Sequence, residues 1–307
     1  MKRTCVLLAA LAATVLAPGC QRHERGRLLV VTYQTMDNPF FVDLNEGLEE
    51  VIRAHGDRLL PLDAQWDDLK QLNDISDMIH RGAAAIFVNP VDWEGIRGSL
   101  LKAKEKGVPC IVVDAPAKDK DLALCTVASD NVKAGRLAAE ALLKVRRPAN
   151  IIVLHHSLNK ACLDRVAGFR EVVDKYPDMK VLATQEGKGT TEGSRPVMQD
   201  LIQRFPQVNA VFAINDPSAL GAVSALEAQK KLPDVTIVTV DGSQEGIEAV
   251  KAGKILSTSA QFPKEIGRAA AEKFYEHLEG KRIDPEVTVR VELITRQNAD
   301  SFLKAKE

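Results

Sequence analysis

From Leu28 onward, short apolar runs alternate with longer amphipathic stretches. Leu28–Tyr33, Leu59–Leu62, Ala84–Val88, Cys110–Val113 and Leu124–Ala128 are short apolar segments. Such runs predict strands covered on both faces, as in a parallel sheet. The stretches between them, Phe40–His55, Asp67–Arg81 and Trp93–Lys106, read as helices that stop at Gly56, Gly82 and Gly107. Glycine is the expected residue just past a helix C-terminus. The same rhythm then restarts. Helices are predicted over Ala134–Val145, Leu163–Lys175, Arg195–Arg204, Ser218–Lys231, Gln244–Ala252 and Lys264–Leu278, and strands over Ile151–His155, Val181–Thr184, Ala210–Ile214, Thr236–Val240, Leu256–Ala260 and Thr288–Ile294. Two successive sets of alternating strands and helices predict an α/β protein of two doubly wound parallel-sheet domains. No linker rich in Pro, Gly or Ser separates them.

The chain start breaks this rhythm. Lys2 and Arg3 precede an apolar run from Val6 to Leu16, followed by Ala17-Pro18-Gly19-Cys20. A positive stretch, a short apolar core and small residues make a secretory signal, too short to span a bilayer as a mature helix. The segment before Cys20 resembles the lipobox of bacterial lipoproteins, although its leucine sits one place early. Residues 1–19 are therefore read as a signal peptide, Cys20 as the lipid-attachment residue and residues 20–27 as a tether. Cleavage nearby without lipidation is the alternative. Both readings export the protein, to the periplasm or the cell-surface side of the membrane.

The 307 residues are about twice the ~150 of a typical domain. Lys and Arg total 41 against 42 Asp and Glu, a net charge of -1, which argues against a nucleic-acid partner, since that normally demands a basic surface or stripe. Beyond the signal and Cys20 three cysteines remain, Cys110, Cys125 and Cys162. An odd number leaves at least one free thiol, and all three are expected as free thiols.

In doubly wound sheets ligands sit at the carboxyl ends of the strands. Gln34 and Asn38 follow the first strand, Asn89 the third, Asp114 the fourth, and Ser129 and Asp130 the fifth. In the second half come His155 and His156, then Asn215 and Asp216, Asp241 and Gln261. Carboxylates and carboxamides can each hold two neighbouring hydroxyls, and Phe40 and Phe41 add apolar rings beside them. Planar polar groups with rings against C–H faces suit a sugar. Any one of these residues could merely cap the next helix; their convergence favours a site.

Asp37-Asn38-Pro39-Phe40-Phe41, Val88-Asn89-Pro90, Ala128-Ser129-Asp130-Asn131, Asn215-Asp216, Val240-Asp241-Gly242 and Ala260-Gln261 resemble, in order and spacing, the signature segments of the bacterial ribose-binding protein family, a type 1 periplasmic binding fold. The resemblance implies ligand contacts from Asn38, Phe40, Phe41, Asn89, Asp114, Arg165, Asn215, Asp241 and Gln261, and a hinge of three crossings near Ser129–Asp130, Gln261–Phe262 and Arg290–Glu292. The implied domains are 28–129 plus 262–290 and 130–261 plus 291–307, with the ligand cleft between them. The sequence departs from the ribose pattern where Ala115 replaces an arginine, where stacking phenylalanines align near Gly189 and Val240, and where His156 stands in an aliphatic position. A hexose, a polyol or another polyhydroxylated ligand is thus as well supported as ribose.

The ligand set from sequence is therefore Gln34, Asn38, Phe40, Phe41, Asn89, Asp114, Ser129, His156, Arg165, Asn215, Asp241 and Gln261, with Trp93 placed at the cleft rim ahead of Trp66. No cofactor, metal or enzymatic activity is expected: there is no nucleophile elbow, His155, His156 and Cys162 match no zinc spacing, and Gly187–Gly193 misses the dinucleotide fingerprint by one residue. A sugar-responsive transcription regulator would need a DNA-binding helical module where this chain carries its export signal. The implied partner is the permease of an ATP-driven importer, served by a monomer that meets the membrane only through its lipid. A receptor presenting its ligand to a chemoreceptor or sensor kinase is the alternative.

Overall fold

The structure, a computed structural model, describes residues 26–304. The segment expected as a signal peptide, residues 1–19, and Cys20 lie outside the described residues. Arg27, expected as the end of the tether, belongs to the folded body: its backbone N–H and Nε both donate to the Asp57 carboxylate, which also accepts from the Tyr275 hydroxyl.

The chain builds two sheets of matching design. The first contains β1 (Leu28–Tyr33), β2 (Arg58–Asp63), β3 (Ala85–Val88), β4 (Cys110–Val113), β5 (Cys125–Ser129) and β11 (Glu286–Val289), ordered β11-β5-β4-β3-β1-β2 and parallel throughout. The second contains β6 (Ala149–His155), β7 (Met179–Glu186), β8 (Ala210–Ala213), β9 (Thr236–Asp241), β10 (Ser257–Ala260) and β12 (Glu292–Thr295), ordered β12-β10-β9-β8-β6-β7. In this sheet only β12 runs antiparallel to its neighbour. The strand expected over Thr288–Ile294 is in fact two strands, one in each sheet, with the chain crossing at Arg290 and Val291.

Helices cover both faces, so the central strands are apolar on both sides. On the first sheet, α1 (Pro39–Ala54) and α9 (Pro263–Leu278) pack on one face, and α2 (Asp68–His80) and α3 (Arg97–Glu105) on the other. Helix α3 begins at Arg97 rather than at Trp93, which leaves Trp93 in the preceding loop. On the second sheet, α4 (Asn131–Val145) and α5 (Lys160–Val173) cover one face, while α6 (Thr191–Arg204) and α7 (Asp216–Ala228) cover the other. The short helices α8 (Gln244–Lys251) and α10 (Ala299–Lys304), the latter not foreseen from sequence, close the edge beside β12. The chain passes between the units three times: from β5 into α4, from β10 into α9 and from β11 into β12.

Cys110 pairs in register with Ile86, and Cys125 with Ile111 on the adjacent strand. Cys110 belongs to the apolar cluster under α2 and α3, Cys125 to the one under α1 and α9. The two thiols are thus on opposite faces of one sheet, and both are free.

Strand order reverses at β1, which lies between β2 and β3, and at β6, which lies between β7 and β8. Successive crossovers leave such a point in opposite directions and open a crevice at the strand's carboxyl end. Helix α1 starts beside one crevice and α5 beside the other. Close helix crossings set their positions. A Cβ on Gly135 of α4 would lie 1.9 Å from the Arg165 carbonyl oxygen on α5, and one on Gly168 of α5 would lie 1.9 Å from the Val132 carbonyl oxygen. Backbone cannot yield as a flexible side chain does, so these glycines set how deeply α5, and Arg165 with it, sits.

Gly135→Ala should therefore destabilise the fold by about 1–3 kcal/mol, lowering the thermal midpoint by several degrees. Gly98→Ala, in α3 where an added Cβ meets nothing within 4 Å, should be neutral or stabilising by up to ~1 kcal/mol. Differential scanning calorimetry separates the two; equal midpoints would refute the tight crossing.

Candidate functional site

Between the two units lies a small, partly open cavity. The first unit contributes Gln34, Asn38, Phe40, Phe41, Trp66 and Asp114; the second contributes His156, Asn159, Cys162, Arg165, Gly189, Asn215, Asp241 and Gln261. Its volume is about 40 Å³. The wider interdomain groove alongside, about 420 Å³, has much of its charge already paired: Lys264, Arg268 and Glu265 engage Glu46, Glu50 and Arg290.

At the centre is Arg165, 4% exposed. Its Nε donates to Asn131 Oδ1 (2.8 Å), and Nη1 donates to the Ile214 carbonyl (2.8 Å) and to Asp241 Oδ1 (3.3 Å). Gln261 Nε2 donates to the same Asp241 oxygen (2.8 Å). Burial alone would lower the guanidinium pKa, but the charges of Asp241, Asp114 and Asp216 outweigh it and hold Arg165 charged. From the first unit Asp114 faces this group, with Asn89 Nδ2 donating to its Oδ2 (3.0 Å). Burial pushes the Asp114 carboxyl up to about 7, Arg165 pulls it down, Asp241 pushes it up, and the Asn89 hydrogen bond lowers it. Behind Asp241, Asp216 is likewise pushed to about 7 by burial and by Asp241, opposed by hydrogen bonds from Thr258 and Ser243.

Backbone strain collects here. Asp114 has φ 63° and Asp241 φ 128°, and on the rim Gln65 and Trp66 have φ 54° and 61°. Side-chain-bearing residues rarely adopt such conformations, and they persist where surrounding structure over-determines them.

Three atoms on residues lining this cavity are buried without a hydrogen-bond partner: Asp114 Oδ1, Gln261 Oε1 and His156 Nε2. A buried polar atom left unsatisfied costs about 1–3 kcal/mol, so each marks a place where a bound group would be stabilised. On the second unit, Glu186 accepts from the Ser157 backbone (2.8 Å), the Ser157 hydroxyl (2.8 Å), the Lys188 backbone (2.7 Å) and His156 Nδ1 (3.2 Å). Partial burial pushes the Glu186 carboxyl up, but these bonds more than offset it and hold the pKa below the ordinary value.

Ten of the sequence-predicted residues line the cavity: Gln34, Asn38, Phe40, Phe41, Asp114, His156, Arg165, Asn215, Asp241 and Gln261. Asn38 and Asn215 also cap helices, accepting from the Phe40 and Ser218 N–H groups, so capping and lining are not exclusive. Asn89 and Ser129 are not on the wall. Asn89 is fully buried behind Asp114, taking the Gln34 N–H and giving its amide to the carboxylate. Ser129 lies at the first crossing, its carbonyl accepting from Asn131. Trp93 is off the wall as well: its backbone N–H donates across the cleft to the Leu158 carbonyl (3.1 Å), and Lys118 and Lys160 lie 6.0 Å from its ring. Trp66, ranked below it from sequence, lines the cavity instead and meets the His156 ring edge-on at 5.9 Å. Asn159, Cys162 and Gly189 complete the wall; the first two lie in the opening turn of α5, a position that strand-end reasoning passes over. Among the described residues no group of His, Cys, Asp and Glu is arranged to hold a metal ion.

The periplasmic binding protein domain family matches residues 29–282. The ribose import binding protein of Salmonella typhimurium is 33% identical over 296 residues, covering 96% of this chain and 98% of that protein. The xylitol-binding protein of Mycolicibacterium smegmatis is 30% identical over 267 residues, 85% of this chain and 75% of that one. Among solved structures, the periplasmic binding component of the arabinose transporter of a Shewanella species, bound to L-arabinofuranose, superposes with a TM-score of 0.84 at 26% identity, covering 90% of this chain and 95% of the other.

A carboxyl whose pKa rises from 3.8 in the unfolded chain to about 7 on folding binds more protons when folded between those values. Stability from this group is therefore lost as pH rises from about 4 through 7. Asp114→Asn removes that dependence, so the midpoint of the variant minus that of the parent should increase from pH 5 to pH 8. A difference independent of pH would refute the raised pKa.

Proposed function

We propose that this chain, which belongs to the periplasmic binding protein domain family, is an exported binding protein that closes two α/β domains on a small polyhydroxylated ligand, a sugar or related polyol, and delivers it to an ATP-driven importer. The observation that carries this reading is the interdomain cavity whose wall mixes Phe40 and Phe41 with buried acceptors from both domains around one buried arginine. Rings meet the C–H faces of a sugar, and acceptors meet its hydroxyl protons. The relatives named for ribose, xylitol and arabinose support the ligand class.

The domains in this reading are 28–129 plus 262–290 and 130–261 plus 291–307, and the three crossings between the sheets act as the hinge. A ligand that touches both walls binds the closed arrangement more tightly than the open one and shifts the population toward closure by that difference. Asp114 on one side and Asp241 on the other accept from ligand hydroxyls, while Arg165 donates to a ligand oxygen and offsets their charge. Asn89 acts one layer back by orienting Asp114. Among the described residues no helix is long and apolar enough to cross a membrane; in our reading the protein is a monomer held at the membrane by lipid on Cys20.

Two measurements test this. A thermal-shift screen of D-ribose, D-allose, xylitol and myo-inositol should find a ligand, and small-angle scattering should show a more compact particle when it is saturating. Identical scattering with and without it would reject the closure mechanism. With that ligand, Asp114→Ala, Arg165→Ala and Asp241→Ala should each weaken binding roughly 10- to 100-fold in calorimetry, with Lys281→Ala unchanged and circular dichroism confirming folded variants. Near-parental affinity in all three would overturn the proposed site.

A further inference from the structure

A second polar group lines the cavity away from the arginine. His156 is 8% exposed, and its Nδ1 lies 3.2 Å from Glu186 Oε1. An ionised carboxylate only accepts, so in the neutral ring Nδ1 carries the proton and Nε2 presents a bare lone pair. That Nε2 is buried and has no partner. The Glu186 oxygens are held in turn by Ser157 and Lys188 N–H groups and the Ser157 hydroxyl, which prevents the carboxylate from turning away.

The surroundings are shaped around this nitrogen. Gly189 has φ 68°, and a Cβ there would lie 3.9 Å from the His156 ring and 3.5 Å from Asn215 Nδ2. A large side chain at 189 would fill the space in front of the imidazole; glycine leaves it open. From the opposite domain Trp66 stands edge-on to the ring at 5.9 Å, on a loop whose two consecutive left-handed residues store strain. The Trp66 backbone N–H is tied to the Gln34 carbonyl at 2.7 Å.

We propose that His156, oriented by Glu186 and covered by Trp66, is a specificity-determining acceptor that reads one ligand hydroxyl as a donor. This rests on the reading of the cavity as a site for a polyhydroxylated ligand and narrows the class. Gln261 Oε1 and His156 Nε2 accept, and Asp114 Oδ1 accepts when its carboxyl is ionised, so the ligand must present several hydroxyl protons to the wall. A neutral polyol, cyclitol or aldose does this. A ligand whose oxygen at the imidazole carries no proton, such as an ether or a carboxylate, leaves Nε2 unsatisfied, and a carboxylate also meets Asp114 and Asp241. Glu186 is a positioning residue: it selects which nitrogen bears the proton.

The test uses the mature chain and the compound from the screen of D-ribose, D-allose, xylitol and myo-inositol that binds most tightly, together with its monodeoxy and mono-O-methyl analogues. His156→Ala should weaken binding of the parent compound roughly 10-fold or more. One deoxy analogue should lose a similar factor against the parental protein yet bind parental protein and His156→Ala equally, closing a double-mutant cycle. Nitrogen-15 spectra of the parental protein should show the Nδ1–H tautomer at His156, and Glu186→Gln should shift the population toward Nε2–H, a change that loss of packing alone does not produce. Affinity within twofold in His156→Ala, or equal deoxy penalties in both proteins, overturns this inference while leaving the binding function standing. A screen in which none of the four compounds binds overturns the function and this inference together.

Discussion

One buried guanidinium organises the site. A charge removed from water is tolerated only when carboxylates and hydrogen-bond acceptors surround it, because its desolvation otherwise costs several kcal/mol. Arg165 meets that demand from separate elements: Asn131 at the start of α4, the Ile214 carbonyl after β8, and Asp241 at the end of β9. Buried pairs of this kind are weak evidence for stability. Here the arrangement works as a geometric constraint, since α4, α5, β8 and β9 must converge for the arginine to be satisfied. The paired glycines of the α4–α5 crossing let two backbones approach closely enough for that convergence.

The cavity then inherits an unbalanced chemistry. Arg165 makes three donations to the protein, while Asp114 Oδ1 and Gln261 Oε1 beside it are buried without a partner. With two carboxyls pushed to about 7 in the same region, folding has placed groups where water would serve them better. Functional sites are where such local conflicts are expected, because a ligand relieves them. The positive φ values of Asp114 and Asp241 belong to the same pattern: the backbone is bent out of its ordinary range to aim two carboxylates at one volume.

Closure adds what neither domain holds alone. The Trp93 N–H reaches the Leu158 carbonyl, and Trp66 covers His156, each contact joining opposite sides of the cleft. Such contacts are few and polar or edge-on, suited to an interface that opens and closes. The large apolar clusters lie inside the units, on both faces of each sheet: under α1 and α9, α2 and α3, α4 and α5, and α6 and α7.

The linear pattern determined the architecture because short apolar runs and glycine stops are local signals, and a parallel sheet buries its strands on both faces. It also determined ten residues of the wall, since strand carboxyl ends meet at the crevice in any doubly wound fold and the ribose-binding family resemblance supplied Arg165. What it could not determine depends on which side chain stands in front of which. Asn89 and Ser129 occupy strand ends as the others do, yet one is screened by Asp114 and the other lies at a domain crossing. Trp93 and Trp66 both follow strands at the cleft. Only the left-handed turn at Gln65 and Trp66, stabilised by a hydrogen bond to Gln34 far away in sequence, places the second ring over the cavity. The tautomer of His156 was equally out of reach, because it depends on Glu186, thirty residues along the chain and adjacent only once β6 and β7 pair.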